Sequence, residues 1–249
     1  MKSYVTLKIL GKVGYIEFFN PPHNALNPSL LNDLTSLIDS AAKEKKIHVI
    51  ILKSGGDRTF CAGASFDHMV DISDENQGKL FFMGFANVIN ALKKCPKIVI
   101  GCIQGKTVGG GVGLASAVDI CFASEFADIK LSELSIGIGP FVIEPAVRRK
   151  IGISAMSQLT LKAQTFFSAK WAMEKGLYAN VFESNNELLR NVESLAKELS
   201  TYNIDSLTAF KRIQWEGTDN WDKLLETRAM LSGKMLLSPN AKSFLKKFI

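Results

Sequence analysis

The segment from Gln104 to Asp119, Q-G-K-T-V-G-G-G-V-G-L-A-S-A-V-D, places five glycines inside a stretch that otherwise has the composition of a buried helix. Glycine costs roughly 0.5–1 kcal/mol relative to alanine in a regular element. Gly105, Gly109, Gly110, Gly111 and Gly113 are therefore read as a turn feeding a helix N-terminus, where a close neighbour leaves no room for side chains. Backbone N–H groups at such a start lack intrahelical acceptors and are available to an anion. The spacing matches neither G-x-x-x-x-G-K-[ST] nor G-x-G-x-x-G followed by an acidic residue, so neither phosphate-binding fingerprint applies. By itself the run is equally compatible with close helix packing. A second small-residue loop, F-C-A-G-A-S-F-D-H-M at Phe60 to Met69, follows an apolar strand pattern. Two such loops can offer one N–H each to a single oxygen.

Around these loops the pattern is that of an α/β protein. Residues 4 to 19 alternate about Gly11-Lys12 and predict a two-stranded hairpin. Asn27-Pro28 predicts an N-cap with proline at the first helical position, ahead of leucines and alanines at helical spacing from 30 to 42. Buried strands are predicted at 49–52, 98–103 and 120–123, with a helix over 76–94 stopped by Pro96. The order strand, strand, helix recurs at least twice, which points to stacked turns. Beyond Asp128 to Leu131 the segment 132–141 is read as a glycine-rich loop, and a strand signal returns at 178–182. From Glu144 onward the pattern is mostly helical, at about 144–150, 154–162, 168–175, 185–200, 205–215 and 220–237.

With 249 residues, 47% of them apolar, the chain has ample material for a sizeable core. The net charge of +6 comes from 30 Lys and Arg scattered without a recognition module, so no nucleic-acid partner is expected. Cys61, Cys95, Cys102 and Cys121 lie in apolar contexts without metal-ligand or C-x-x-C spacing, and there are three histidines. Neither a metal site nor a disulfide framework is expected. The opening residues carry no secretion pattern, and the uncharged run at 107–118 is short of the roughly 18 apolar residues a membrane span needs. A cytoplasmic protein with no membrane partner is the expectation.

Taken together, Asn24 to Leu26, Phe60 to Ala64, Gly105 to Gly111, Asp119-Ile120, Leu131-Ser132-Glu133 and the S-A-x-x-A-x-x-x-G-L pattern at Ser168 to Leu177 resemble the crotonase family. This is the enoyl-CoA hydratase and isomerase group, marked by F-x-A-G-A-D and, about fifty residues on, G-x-x-x-G-G-G. The resemblance covers nearly the whole chain. It implies a crotonase-like spiral of strand-strand-helix repeats over residues 1–190 holding the acyl-CoA site. A C-terminal helical region over 191–249 would then serve in a homotrimer or a hexamer. The implied ligand is an acyl-CoA thioester, with coenzyme A as part of the substrate and no separate cofactor. The amides of Ala64 and Gly110 would face the thioester oxygen, the backbone of the loop Cys61 to Phe66, with Cys61, Ala62, Ala64 and Phe66, would contact the CoA adenine and pantetheine, and Lys247 would reach a CoA phosphate.

Departures from the family pattern bear on the reaction. Family hydratases use two glutamates, one just after the triple glycine and one about twenty residues later. The first position here is Gly113, which cannot move a proton, and the second is Glu133. A single glutamate resembles the family's enoyl-CoA isomerases. Burial among Leu131, Leu134, Ile136 and Ile138 would raise the Glu133 pKa toward a useful range. Glu144 keeps hydration open if the loop through Gly137, Gly139 and Pro140 returns it to the pocket, although an acid at a helix start needs no further role. Asp67 and His68 are read as helix-start polar groups with a catalytic alternative. Ser65 stands where the family commonly has aspartate, and I-G-I-G-P-F-V departs from I-P-G-x-G-G. Carboxyacyl-CoA decarboxylation and non-catalytic acyl-CoA binding complete the alternatives.

Overall fold

The computed structural model describes residues 2–246. β1 (Tyr4–Leu10) and β2 (Val13–Phe19) form the expected hairpin across Gly11, whose φ of +60° suits glycine. Asn27 caps α1 (Pro28–Lys43), its side-chain oxygen accepting from Leu30 N at 2.9 Å. β3 (Val49–Ser54) leads into the short β4 (Thr59–Cys61), then α2 (Phe66–Val70) and α3 (Glu75–Lys94). The next turns repeat the order: β5 (Ile98–Ile103), β6 (Lys106–Val108) and α4 (Gly110–Ala117), then β7 (Ile120–Ser124) and β8 (Ile129–Lys130). A turn of 3-10 helix over Glu133–Ile136 lies inside the loop at 132–141.

The remaining elements are α5 (Glu144–Leu161), α6 (Ala169–Glu174), β9 (Asn180–Phe182), α7 (Asn185–Leu199), α8 (Ile204–Gln214), α9 (Trp221–Leu236) and α10 (Pro239–Leu245). The two helices expected at 144–150 and 154–162 are one span interrupted at Gly152, which leaves helical geometry with φ 74°. A division after residue 190 falls inside α7, so core and C-terminal region share that helix. α10 is an additional helix, begun by Ser238 as N-cap and Pro239.

Six strands form one sheet, ordered β1-β2-β3-β5-β7-β9, and three short strands form another, ordered β4-β6-β8. The pairings between named strands after the hairpin are parallel. Each turn of the spiral therefore contributes one strand to each sheet. Parallel strands are buried on both faces, and period-two alternation divides the layers. Ile50 and Leu52 face the cluster containing α1 and α3, whereas Val49 and Ile51 face Leu188, Val192 and Ala196 of α7. No helix among the described residues is long and apolar enough to cross a membrane.

Two contacts fix the C-terminal helices on the spiral. Asp119, just past α4, accepts from Val99 N and Lys211 Nζ, both at 2.8 Å, and from Trp215 Nε1 at 3.1 Å, which ties α8 to the central sheet. α9 lies along α3 with backbone against backbone: a Cβ on Gly78 would sit 2.6 Å from Gly233 Cα. Neither backbone can yield to that Cβ without separating the helices. Gly78→Ala is expected to lower unfolding free energy by about 1–3 kcal/mol in urea titration; a midpoint equal to wild type would show the helices free to separate.

Candidate active site

The two small-residue loops meet. Gly63 has φ +86°, and a Cβ there would lie 3.1 Å from Val108 O and 3.4 Å from Gly110 N. Asn24 braces the first loop, donating from Nδ2 to Gly55 O at 2.9 Å and Thr59 O at 2.8 Å. Ala64 forms a parallel bridge with Leu26, in which Leu26 N donates to Gly63 O and Ser65 N to Leu26 O. That pattern uses the groups on either side of Ala64 and leaves its own N–H unused. Gly110 opens α4, so its N–H has no intrahelical acceptor. Ala64 and Gly110 both line a cavity of about 330 Å³. Gly110 admits no side chain, because a Cβ would come within 2.2 Å of Phe85 Cε1.

Glu133 enters the same cavity from the 3-10 turn. A Cβ on Gly109 would be 3.0 Å from Glu133 Oε1, so the carboxylate lies against the turn that presents the Gly110 amide. The residue as a whole stays partly accessible, yet Oε2 is shielded and has no hydrogen-bond partner among the described residues. Burial pushes its pKa up from 4.5 to about 7, opposed weakly by a bond from its own backbone amide. Leu131, Ile136 and Ile138 are buried as expected, but Leu134 is 43% exposed and takes no part in the desolvation.

The position of the missing glutamate is filled. A Cβ on Gly113 would lie 2.3 Å from Ile143 Cγ2, so an isoleucine side chain occupies the space a larger residue would need. Glu144, one residue on, does not line the cavity. It forms an ion pair with Arg148, Nε to Oε1 3.0 Å, and stands 3.9 Å from Arg228 Nη2. The loop through Gly137, Gly139 and Pro140 thus brings Ile143, not Glu144, into the pocket. Among the described residues Glu133 is the one carboxylate in the cavity lining.

The enoyl-CoA hydratase/isomerase family model matches residues 8–247. The chain belongs to the enoyl-CoA hydratase/isomerase family of enzymes. A probable enoyl-CoA hydratase of Bacillus subtilis is 25% identical over 98% of this chain and 95% of its own length. The peroxisomal Δ(3,5)-Δ(2,4)-dienoyl-CoA isomerase of Arabidopsis thaliana is 29% identical over 86% of this chain and 82% of its own. The solved enoyl-CoA hydratase of Bacillus halodurans superposes with a TM-score of 0.89 at 23% identity, covering 98% of this chain and 100% of that one, and so shares the fold.

Within this enoyl-CoA hydratase/isomerase fold the other expected contact residues separate. Ala62 and Phe66 line the cavity and Cys61 does not. The Cys61 thiol is buried, accepts from Gly63 N at 3.4 Å, and is pushed up to about 12 by desolvation, which leaves it a packing group. Asp67 and His68 are also outside the lining; His68 Nδ1 lies 3.1 Å from Ser65 Oγ. Lys247 falls outside the described residues. Contributions that sequence reasoning missed come from far along the chain: Phe82, Lys130, Phe141, Ser232 and Phe244.

The raised Glu133 pKa has a consequence for stability. Between about pH 4.5 and about 7 the unfolded chain releases this proton while the folded chain retains it, so stability falls as pH rises through that window. A shift of this size corresponds to about 3 kcal/mol. Relative to wild type, Glu133→Gln is expected to gain about that much unfolding free energy as pH rises from 4.5 to 7, measured by denaturant titration at each pH. A difference that stays constant with pH would contradict desolvation of this carboxylate.

Proposed function

We propose that this chain shifts the double bond of an enoyl-CoA, with Glu133 as the single proton carrier. The carboxylate removes a proton from C2 of a 3-enoyl thioester, and the electron pair moves onto the thioester oxygen, giving a dienolate. The Ala64 and Gly110 amides hold that oxygen. Return of the proton at C4 carries the electrons back and leaves a 2-enoyl thioester, with no water and no electrons consumed. One preorganised donor of this kind is typically worth about 3–4 kcal/mol of barrier. A carboxyl group with a pKa of about 7 both accepts and returns a proton readily near neutral pH.

The observation that carries this reading is a single carboxylate among the described residues of the cavity that Ala64 and Gly110 also line, with Ile143 in the space beside Gly113. A desolvated carboxylate in the same cavity as the amides supports catalysis over passive binding. Coenzyme A enters as part of the substrate, its contacts supplied by Cys61 to Phe66 and its phosphate reached by Lys247. The C-terminal helices would join subunits in a trimer or hexamer. Hydration is the second reading, favoured by the name of the Bacillus subtilis relative. It would require Glu144 to leave Arg148 and Arg228, or Glu133 to manage both proton transfers alone. Decarboxylation of a carboxyacyl-CoA would use the same two amides.

Panels of 2-enoyl-CoA and 3-enoyl-CoA incubated in heavy water, with positional isomers separated before mass spectrometry, test the reading. Double-bond migration without the added mass of a water is expected, and it should fall by about 10²–10⁴-fold in Glu133→Gln. Since the base must be ionised, kcat/KM should decline as pH drops below about 7. Hydrated products, or undiminished turnover in the variant, would overturn it.

A further inference from the structure

Ser232 sits where a helix of this kind carries apolar residues. The buried side of α9 is formed by Trp221, Leu225, Ala229, Ser232, Gly233 and Leu236, and Ser232 supplies its one hydroxyl. It is 1% accessible and lines the cavity. Other buried or helical hydroxyls turn back onto their own helix: Ser116 donates to Val112 O at 2.7 Å and Thr227 to Lys223 O at 3.0 Å. Ser232 makes no such bond and has no hydrogen-bond partner among the described residues. Its hydroxyl is left to the cavity it lines, where whatever fills the cavity can complete it.

The geometry holds that hydroxyl in a fixed place. Gly233, its neighbour, is locked against Gly78 of α3, and Phe82, one turn beyond Gly78, lines the same cavity. The thioester oxygen already has the Ala64 and Gly110 amides in the proposed reaction. Ser232 is therefore available to a different atom of the acyl group. A carboxylate is a poor match, because it would bring a second negative charge into the cavity that Glu133 lines. Lys130, the cation in the described lining, holds its ammonium 4.5 Å over the ring of Phe166, a residue outside the cavity. A neutral oxygen fits a group that both donates and accepts.

We infer that Ser232 is a specificity residue that hydrogen-bonds a neutral hydroxyl or carbonyl oxygen carried on the acyl chain, away from the thioester. The inference rests on the acyl-CoA reading of the site, and a binding experiment with unreactive ligands separates the two. Hexanoyl-CoA and its hydroxy and oxo counterparts, substituted at each carbon from the fourth to the sixth, are titrated calorimetrically into wild type and Ser232→Ala.

At least one oxygenated ligand is expected to bind wild type about three- to tenfold more tightly than hexanoyl-CoA, an advantage lost in Ser232→Ala while hexanoyl-CoA itself stays within about twofold. Equal binding of all ligands to wild type would overturn the Ser232 assignment, as would an advantage that survives in the variant. Either result would leave the acyl-CoA reading standing. No binding of any of these thioesters would overturn both.

Discussion

The active-site cavity depends on backbone approaching backbone in the small second sheet. Gly111 packs on Cys61 so closely that a Cβ would sit 2.6 Å from the Cys61 carbonyl oxygen, and one on Gly105 would meet Arg58 O at 2.5 Å. Strands as short as β4, β6 and β8 have little stability of their own. They persist because buried amide side chains pin the turns that connect them to the long strands. Gln104 Nε2 donates to Ser54 Oγ at 2.8 Å and Gly56 O at 3.1 Å, Ser124 Oγ donates to Gln104 O at 2.8 Å, and Asn24 bonds two carbonyls of the same loop. Removing side-chain volume at the glycines lets the two amide-bearing loops touch, and their N–H groups are left over because the first loop spends its bonds on either side of Ala64 and Gly110 begins a helix.

The two ends of α4 show opposite treatments of a carboxylate. At its C-terminal end Asp119 is satisfied by Lys211, Trp215 and a backbone amide, so it serves as a fastening for α8. At its N-terminal end Glu133 has a shielded oxygen without a partner. The positive end of the helix dipole favours ionisation of Glu133 by about 0.3–1 kcal/mol. Desolvation acts in the other direction and is larger, about 3 kcal/mol for a pKa of about 7. Burial therefore wins, and the group remains poised between its two protonation states near neutrality. Stability is lower for it, which is how a reactive group in a fixed scaffold commonly behaves.

Much of this was legible in the residues. The hairpin, the Asn27 cap, the buried strands β3 and β5, and the Glu75–Lys94 helix each follow from a local period or a named cap. Glu133 and the Ala64 and Gly110 amides were reached through motif order, and the structure brings them to one cavity. The three short strands were not legible, since two or three residues show no period. α10 announces itself with the same N-cap and proline signal as α1, Ser238-Pro239 matching Asn27-Pro28, yet it lies beyond the last strong hydrophobic repeat. The filling of the Gly113 space by Ile143 and the exposure of Leu134 are tertiary outcomes with no local signature. Ser232 is hidden for a related reason: one serine in a helical stripe reads as an ordinary surface residue until the packing of α9 on α3 places it inside.

The desolvated state of Glu133 is the feature on which the proposed chemistry turns, and its carboxyl group can be followed directly. Infrared difference spectra between wild type and Glu133→Gln, collected across pH, isolate the carboxylic acid C=O band of this one residue. A band that persists to neutral pH and titrates near 7 is the expected result. Loss of the band around pH 4.5, where an ordinary glutamate ionises, would show a solvated carboxylate and contradict Glu133 as the proton carrier of a closed site.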